Sequence, residues 1–76
     1  MKEIILSILL SIRPEAEFKQ SVNFLEDGYL DSFDIIILVS ELEKEFNILI
    51  PGEQVSPENF MNISTIVSLL DSLINK

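Results

Sequence analysis

Asp27-Gly28-Tyr29-Leu30-Asp31-Ser32-Phe33-Asp34 is the run of residues against which the remainder of the chain can be placed. Asp27-Gly28 signals a turn, because glycine enters left-handed backbone without a Cβ clash. Residues 33–46 then contain neither Gly nor Pro. From Ile35, the apolar positions Leu38, Val39, Leu42 and Phe46 recur at steps of three and four, which is one face of a helix. Asp31 is placed as N-cap, its carboxylate accepting from a free backbone N–H of the first turn. Asp34 adds negative charge near the positive end of the helix dipole. Ser32 then stands at the exposed start of the helix. Taken alone, Asp31-Ser32 reads as a capping pair, since Asp and Ser crowd helix starts.

Upstream, Lys2-Glu3 is followed by an apolar stretch to Ile12 broken only by Ser7 and Ser11. It is not a signal peptide: Glu3 offsets Lys2, and Arg13-Pro14-Glu15 follows where a small-residue cleavage site belongs. It is also short of the roughly 20 apolar residues a membrane span requires. The spacing predicts an amphipathic helix with a core stripe of Ile5, Ile8, Leu9 and Ile12, extended by Ile4. Leu6 and Leu10 flank the stripe, so this helix is expected to be covered on more than one side. Pro14 ends it, because the residue before a proline avoids helical backbone.

Residues 15–30 form a long connection. Phe18, Val22, Phe24, Leu25, Tyr29 and Leu30 are scattered through it without a period, and they are expected to pin it across the helix ends. A connection this long in a compact domain is commonly functional. Glu15, Glu17 and Lys19 should face water. After Phe46, Asn47 suits a left-handed C-cap. Ile48 and Ile50 are expected to point inward, and Pro51-Gly52 to turn. Ser56-Pro57-Glu58-Asn59-Phe60 reads as a very short helix with a Ser N-cap and Pro at its first position. Phe60 and Met61 should close over the core. Asn62 or Ser64 caps a last helix running to about Asn75, with Ile63, Ile66, Val67, Leu70, Leu73 and Ile74 as its stripe. The fold class is therefore all-α: a small bundle of three main helices plus one short helix, as one domain over residues 1–76.

Thirteen acids against five bases give a formal net charge of −8. That excludes nucleic acid, whose phosphates are bound by Lys and Arg. It equally excludes anionic membrane surfaces, and it favours partners with basic patches. There is no Cys and no His, hence no disulfide and no thiolate or imidazole metal site. Asp27, Asp31 and Asp34 do not match the calcium-loop spacing, so no metal centre is expected. Without His, a serine nucleophile lacks its usual base. Lys44 lies about three turns from Ser32, Lys2 and Lys76 are at the termini, and only Lys19 is arguable. No enzymatic activity is expected; Ser32 reads as a hydroxyl that another enzyme modifies.

The motif Asp31-Ser32-Phe33, with Leu42-Glu43-Lys44-Glu45-Phe46-Asn47-Ile48 and Ile50-Pro51 behind it, resembles the acyl carrier proteins. The resemblance covers the loop before the serine and most of the chain after it. It implies an acyl-carrier-protein-like bundle with a long loop between the first and second helices. It also implies covalent 4'-phosphopantetheine on Ser32, flanked by Asp31 as a recognition residue. The arm's thiol would hold an acyl or aminoacyl group as a thioester, for fatty-acid, polyketide or related biosynthesis. Leu38, Leu42, Phe46 and Ile66 would line a core able to shelter an acyl chain. The partners implied are a phosphopantetheinyl transferase, an acyl- or aminoacyl-activating ligase and downstream acyltransferases. A free-standing cytoplasmic monomer without stable membrane insertion is expected. Phe33, Asp34, Ile36, Ile37 and Ser40 are the candidate partner-facing residues. Glu41, Glu43 and Glu45 read as a solvated face that also offers contacts to basic enzyme surfaces. Ile36-Ile37 stand where fatty-acid carriers often place an acid, which resembles D-alanyl or peptidyl carriers instead. The Leu30-Asp31 before the serine is unlike the Gly-Gly-His or Gly-Gly-Asp of peptidyl carriers. A D-alanyl or peptidyl carrier is thus the alternative, and an acidic non-enzymatic helical adaptor binding through Ile36-Ile37 is a second one.

Overall fold

Three α-helices carry the fold in the computed structural model, which describes residues 1–75: α1 (Lys2–Ile12), α2 (Ser32–Phe46) and α3 (Ile63–Ile74). Lys76, read above as a terminal lysine, lies outside the described residues. The fold is the small all-α bundle, with the long connection between α1 and α2. The end of α1 lies against the start of α2.

Local chemistry accounts for each boundary. Pro14 stops α1, and Arg13 N–H closes its last turn on Leu9 O at 2.9 Å. Asn47 ends α2 in left-handed backbone, φ 54° and ψ 50°, with its N–H donating to Glu43 O. Asn62 opens α3 with a reciprocal box: its carboxamide oxygen accepts from Thr65 N–H at 2.9 Å, and Thr65 Oγ1 accepts from Asn62 N–H at 3.2 Å.

The short segment after α2 differs in detail from its sequence reading. Pro57–Phe60 is a single 3-10 turn, and Pro57 opens it as expected. Ser56, expected as its cap, makes no side-chain cap bond. Two further 3-10 turns, Phe18–Gln20 and Gly52–Gln54, were not anticipated. Three-residue turns of this kind bury too few side chains to leave a periodic pattern.

One core gathers all three helices and the loops. Ile5 and Leu9 come from α1, Ile35, Leu38 and Leu42 from α2, and Ile66, Leu69 and Leu70 from α3. Leu69 lies outside the stripe read from the sequence, while Ile74, assigned to that stripe, is exposed in the last turn of α3. Residues 15–30 contribute Phe18, Phe24 and Leu30 to the core. Phe18 meets Phe24 edge-on at 5.0 Å and Tyr29 at 5.9 Å. The loop is also tied to the entry of α3: Phe24 N–H donates to Met61 O at 2.6 Å, and Asn62 Nδ2 to Val22 O at 3.0 Å. Asn23 Oδ1 accepts from Leu25 N and Glu26 N, each at 3.1 Å, an Asx turn that steers the chain toward Gly28 at φ 75°. Val22 does not pin the loop as expected, since its side chain points to solvent.

As expected, α1 is covered on more than one side, by α2, α3 and the Phe18–Gln20 turn, but not all round. Ile4 and Leu10 are exposed and Leu6 is half-buried. The open flank is a shallow groove lined by Leu6, Leu10, Ile63, Lys2 and Lys19.

Leu42→Ala, at a fully buried position, should destabilise the fold by about 2–5 kcal/mol. Ile36→Ala, where the side chain is 64% exposed, should change stability by no more than about 0.5 kcal/mol. Urea unfolding of the two variants checks this; equal losses would overturn the assignment of the two faces of α2.

Candidate functional site

The start of α2 is held by a closed set of polar contacts. Asp31 has extended backbone, and its Oδ1 accepts from Asp34 N–H at 2.9 Å. Asp34 Oδ2 accepts in return from Asp31 N–H at 3.2 Å. This is a capping box with an aspartate in the place usually taken by Glu or Gln. The same Asp34 oxygen accepts from an Arg13 guanidinium nitrogen at 2.8 Å, and that nitrogen lies 3.7 Å from Asp31 Oδ2.

Asp34 was expected among the partner-facing residues. It is instead turned inward and only 8% exposed, occupied by the box and by Arg13. Arg13 was not picked out by the sequence reading. Its contact spans 21 residues of chain, and no local periodicity encodes such a contact. The available cue was that the chain's one arginine sits at a helix stop.

Asp31 has its carboxyl held below the ordinary aspartate range. The Asp34 backbone N–H is the largest cause, with the Arg13 charge helping and desolvation opposing.

Ser32 follows as the first residue of α2 and is exposed. Ser11 and Ser72 spend their hydroxyls on backbone carbonyls, and Ser21 on Asp27. Among the described residues, Ser32 Oγ has no such partner, as holds also for Ser7, Ser40, Ser56, Ser64 and Ser68; what sets Ser32 apart is its place at the first position of α2. Beside it opens an apolar recess of about 270 Å³, lined by Ile35, Ile36, Val55, Ser56 and Pro57 as well as Ser32. Val55 and the Pro57–Phe60 turn thus border the serine, which the sequence reading did not foresee. They arrive through the linker after α2, whose course is fixed by Glu43 Oε2 accepting from Ile50 N–H at 2.8 Å. Glu43, read as part of a solvated face, therefore has a structural task as well.

Phe33, Ile36, Ile37 and Ser40 form one exposed ridge down the outer face of α2, with Phe33 73% and Ile37 45% exposed. Lys19, the arguable base, borders the α1 groove rather than the Ser32 recess. No group of three or more Asp or Glu among the described residues is arranged to hold a metal ion. What the arrangement offers is an unengaged hydroxyl at a helix N-terminus, with open space on its apolar side. The dipole of the first turn and the Arg13 charge would favour a phosphodiester there, against the carboxylates of Asp31 and Asp34.

Residues 2–73 match the family described as a phosphopantetheine attachment site. The chain belongs to the acyl carrier protein family.

Its relatives divide between two kinds of carrier. The acyl carrier protein of Wolinella succinogenes is 35% identical over 72 residues, covering 95% of this chain and 90% of that one. The acyl carrier protein of Helicobacter pylori is 37% identical over 60 residues, 79% of this chain and 67% of its own. The D-alanyl carrier protein of Lactococcus lactis is 33% identical over 70 residues, 90% and 89% of the two chains. No solved structure matches the chain at a comparable level. Members of this family are carriers rather than enzymes, and this chain is accordingly not an enzyme. Among the described residues, no helix of the carrier is long and apolar enough to cross a membrane.

The lowered Asp31 carboxyl gives a signed pH dependence. Its folded form prefers the charged state, so it contributes stability above the unfolded aspartate range near pH 4. That contribution is lost as pH falls through the lower folded value. Asp31→Asn keeps a capping side chain without the charge, so its unfolding free energy should fall less steeply below about pH 4. Urea unfolding across that range checks the sign, and an unchanged slope would refute it.

Proposed function

We propose that Ser32 is the attachment point of 4'-phosphopantetheine and that the protein carries an acyl or aminoacyl group on that arm as a thioester. The observation that carries this reading is the state of Ser32: exposed, unengaged, at the first position of α2 and beside an apolar recess. A phosphopantetheinyl transferase would use coenzyme A as donor. Ser32 Oγ forms the new bond to phosphorus, the bond from that phosphorus to the nucleotide breaks, 3',5'-ADP leaves, and the serine proton passes to a base of the transferase. When bound, the arm supplies a thiol, which this chain lacks of its own.

This chain's residues do the remainder. Asp31 fixes the loop and offers the transferase a charged neighbour to the serine. Phe33, Ile36, Ile37 and Ser40 form the partner-facing ridge for the transferase, the loading ligase and downstream acyltransferases. Tethering brings the cargo to each of these at high effective concentration. The whole chain acts as one carrier domain in acyl transfer, fatty-acid or related biosynthesis among the candidates.

A D-alanyl carrier is the second reading. It is favoured by the apolar ridge, where Ile36 and Ile37 are 64% and 45% exposed with no acid between them, and by the likeness to the L. lactis protein.

Incubation with coenzyme A and a broad-specificity phosphopantetheinyl transferase should add one phosphopantetheine to the intact mass. Ser32→Ala should show no gain while remaining folded, its stability within about 0.5 kcal/mol of the parent. An alanine variant that still gained mass would remove Ser32 from this role.

Replacing Ile36 and Ile37 together by Ser should raise the KM of that loading reaction roughly fivefold or more, the scale of one lost interface anchor. Steady-state kinetics on folded protein reads this, and an unchanged KM would take the ridge out of transferase docking.

A further inference from the structure

The loaded carrier has a charge problem at the start of α2. Asp31 and Asp34 already place two carboxylates there, both within 3.7 Å of one Arg13 nitrogen. A phosphodiester on the residue between them adds a third negative charge. The first-turn N–H groups offset part of this, but Asp31 already draws on them, Asp34 N–H directly. The described lysines lie elsewhere. Lys44 pairs with Glu41 at 3.3 Å along α2, and Lys2 and Lys19 line the α1 groove. Among the described residues, Arg13 is the one basic side chain in ion-pair range of this helix end. It is also not fully consumed: its side chain is 37% exposed, and a guanidinium carries five N–H donors in a planar fork.

Resting on the attachment reading of Ser32, we propose that Arg13 is the counter-charge of the modified serine. The guanidinium that ties α1 to the capping box also offsets the phosphodiester, so it is a binding residue for the prosthetic group as well as a brace. In the unmodified protein Arg13 leaves the helix end with one net negative charge; in the loaded protein it holds that end at two rather than three. The interaction between Arg13 and the modification is then favourable, and it is absent from a purely structural brace.

The test compares melting of the apo and loaded forms of the full chain for the parent, Arg13→Gln and Arg13→Lys. Arg13→Gln should lower the melting temperature of both forms through the lost Asp34 contact. It should lower the loaded form further, by about 4 °C, the scale of one partly exposed charge pair in a domain this size. Arg13→Lys, which keeps the charge, should restore most of that extra loss. Salt raised to about 1 M should shrink it by screening. Equal losses in apo and loaded forms overturn the proposal and leave Arg13 as a brace alone. Should Arg13→Gln fail to fold, the parent protein supplies a second readout. With one arginine in the chain, its Nε–H gives a single signal in nitrogen-edited NMR. That signal should shift on loading; an unmoved signal overturns the proposal. Failure of the parent to gain mass at Ser32 overturns the attachment reading itself, and is distinct from both of these results.

Discussion

One carboxylate oxygen, Oδ2 of Asp34, joins the two halves of this protein. It accepts from the Asp31 backbone and from Arg13. The first contact sets where α2 begins. The second fixes that beginning against the end of α1, 21 residues earlier in the chain. Asp34 is 8% exposed, and a nearly buried carboxylate is tolerable only when its charge is matched and its lone pairs are filled. Here Arg13 matches the charge and Oδ2 accepts twice, from groups that also define the register of Ser32. A helix end normally frays and its caps exchange with water. Asp34 turns this one into a fixed point, and the exposed hydroxyl of Ser32 inherits that fixity.

The linker after α2 completes the frame in the same economical way. Glu43 accepts at its carboxylate from Ile50 N–H and at its backbone carbonyl from Ile48 N–H and Asn47 N–H. The left-handed turn at Asn47 and the return of the chain along α2 therefore share one residue. That return brings Val55 and Pro57 beside Ser32. The recess is thus a consequence of how α2 ends as much as of how it starts.

The sequence was most legible where the physics is local. The helical stripes of α1 and α2 around Ile5, Leu9, Leu38 and Leu42 follow from side-chain periodicity. The stops at Pro14 and Asn47 follow from allowed backbone angles. The Asp31 cap and the exposure of Ser32 belong to the same class. What was not legible is non-local. Asp34 looked like an exposed helix-start acid because its partner, Arg13, lies on another helix. Glu43 looked solvated because its acceptor role depends on where Ile50 returns. Leu10 was assigned to a covered flank because its apolar character says nothing of whether a neighbour exists to cover it. The family was legible from joint motifs, whereas the cargo is not: acyl and D-alanyl carriers are about equally similar to this chain.

The distribution of charge and apolar surface bears on what a carrier needs. The chain is strongly acidic at net charge −8, yet its most exposed large side chains beside Ser32 are Phe33, Ile36 and Ile37. Leaving them in water gives up burial that a domain this small can ill spare, since each such side chain contributes roughly 1.5–3 kcal/mol when fully buried. The core does not reclaim them because Leu38 and Leu42 already occupy the inward face of α2. The acids, by contrast, lie at either end of the ridge: Asp31 at its head, with Asp34 turned inward onto Arg13 behind it, and Glu41 and Glu45 toward its foot. Long-range attraction to a basic partner can then guide approach without placing a buried charge at the centre of contact, where desolvation would cost most. On the proposed reading of Ser32, that combination would suit a domain that several enzymes must engage in turn, with encounter guided by the acidic ends and contact made by the ridge.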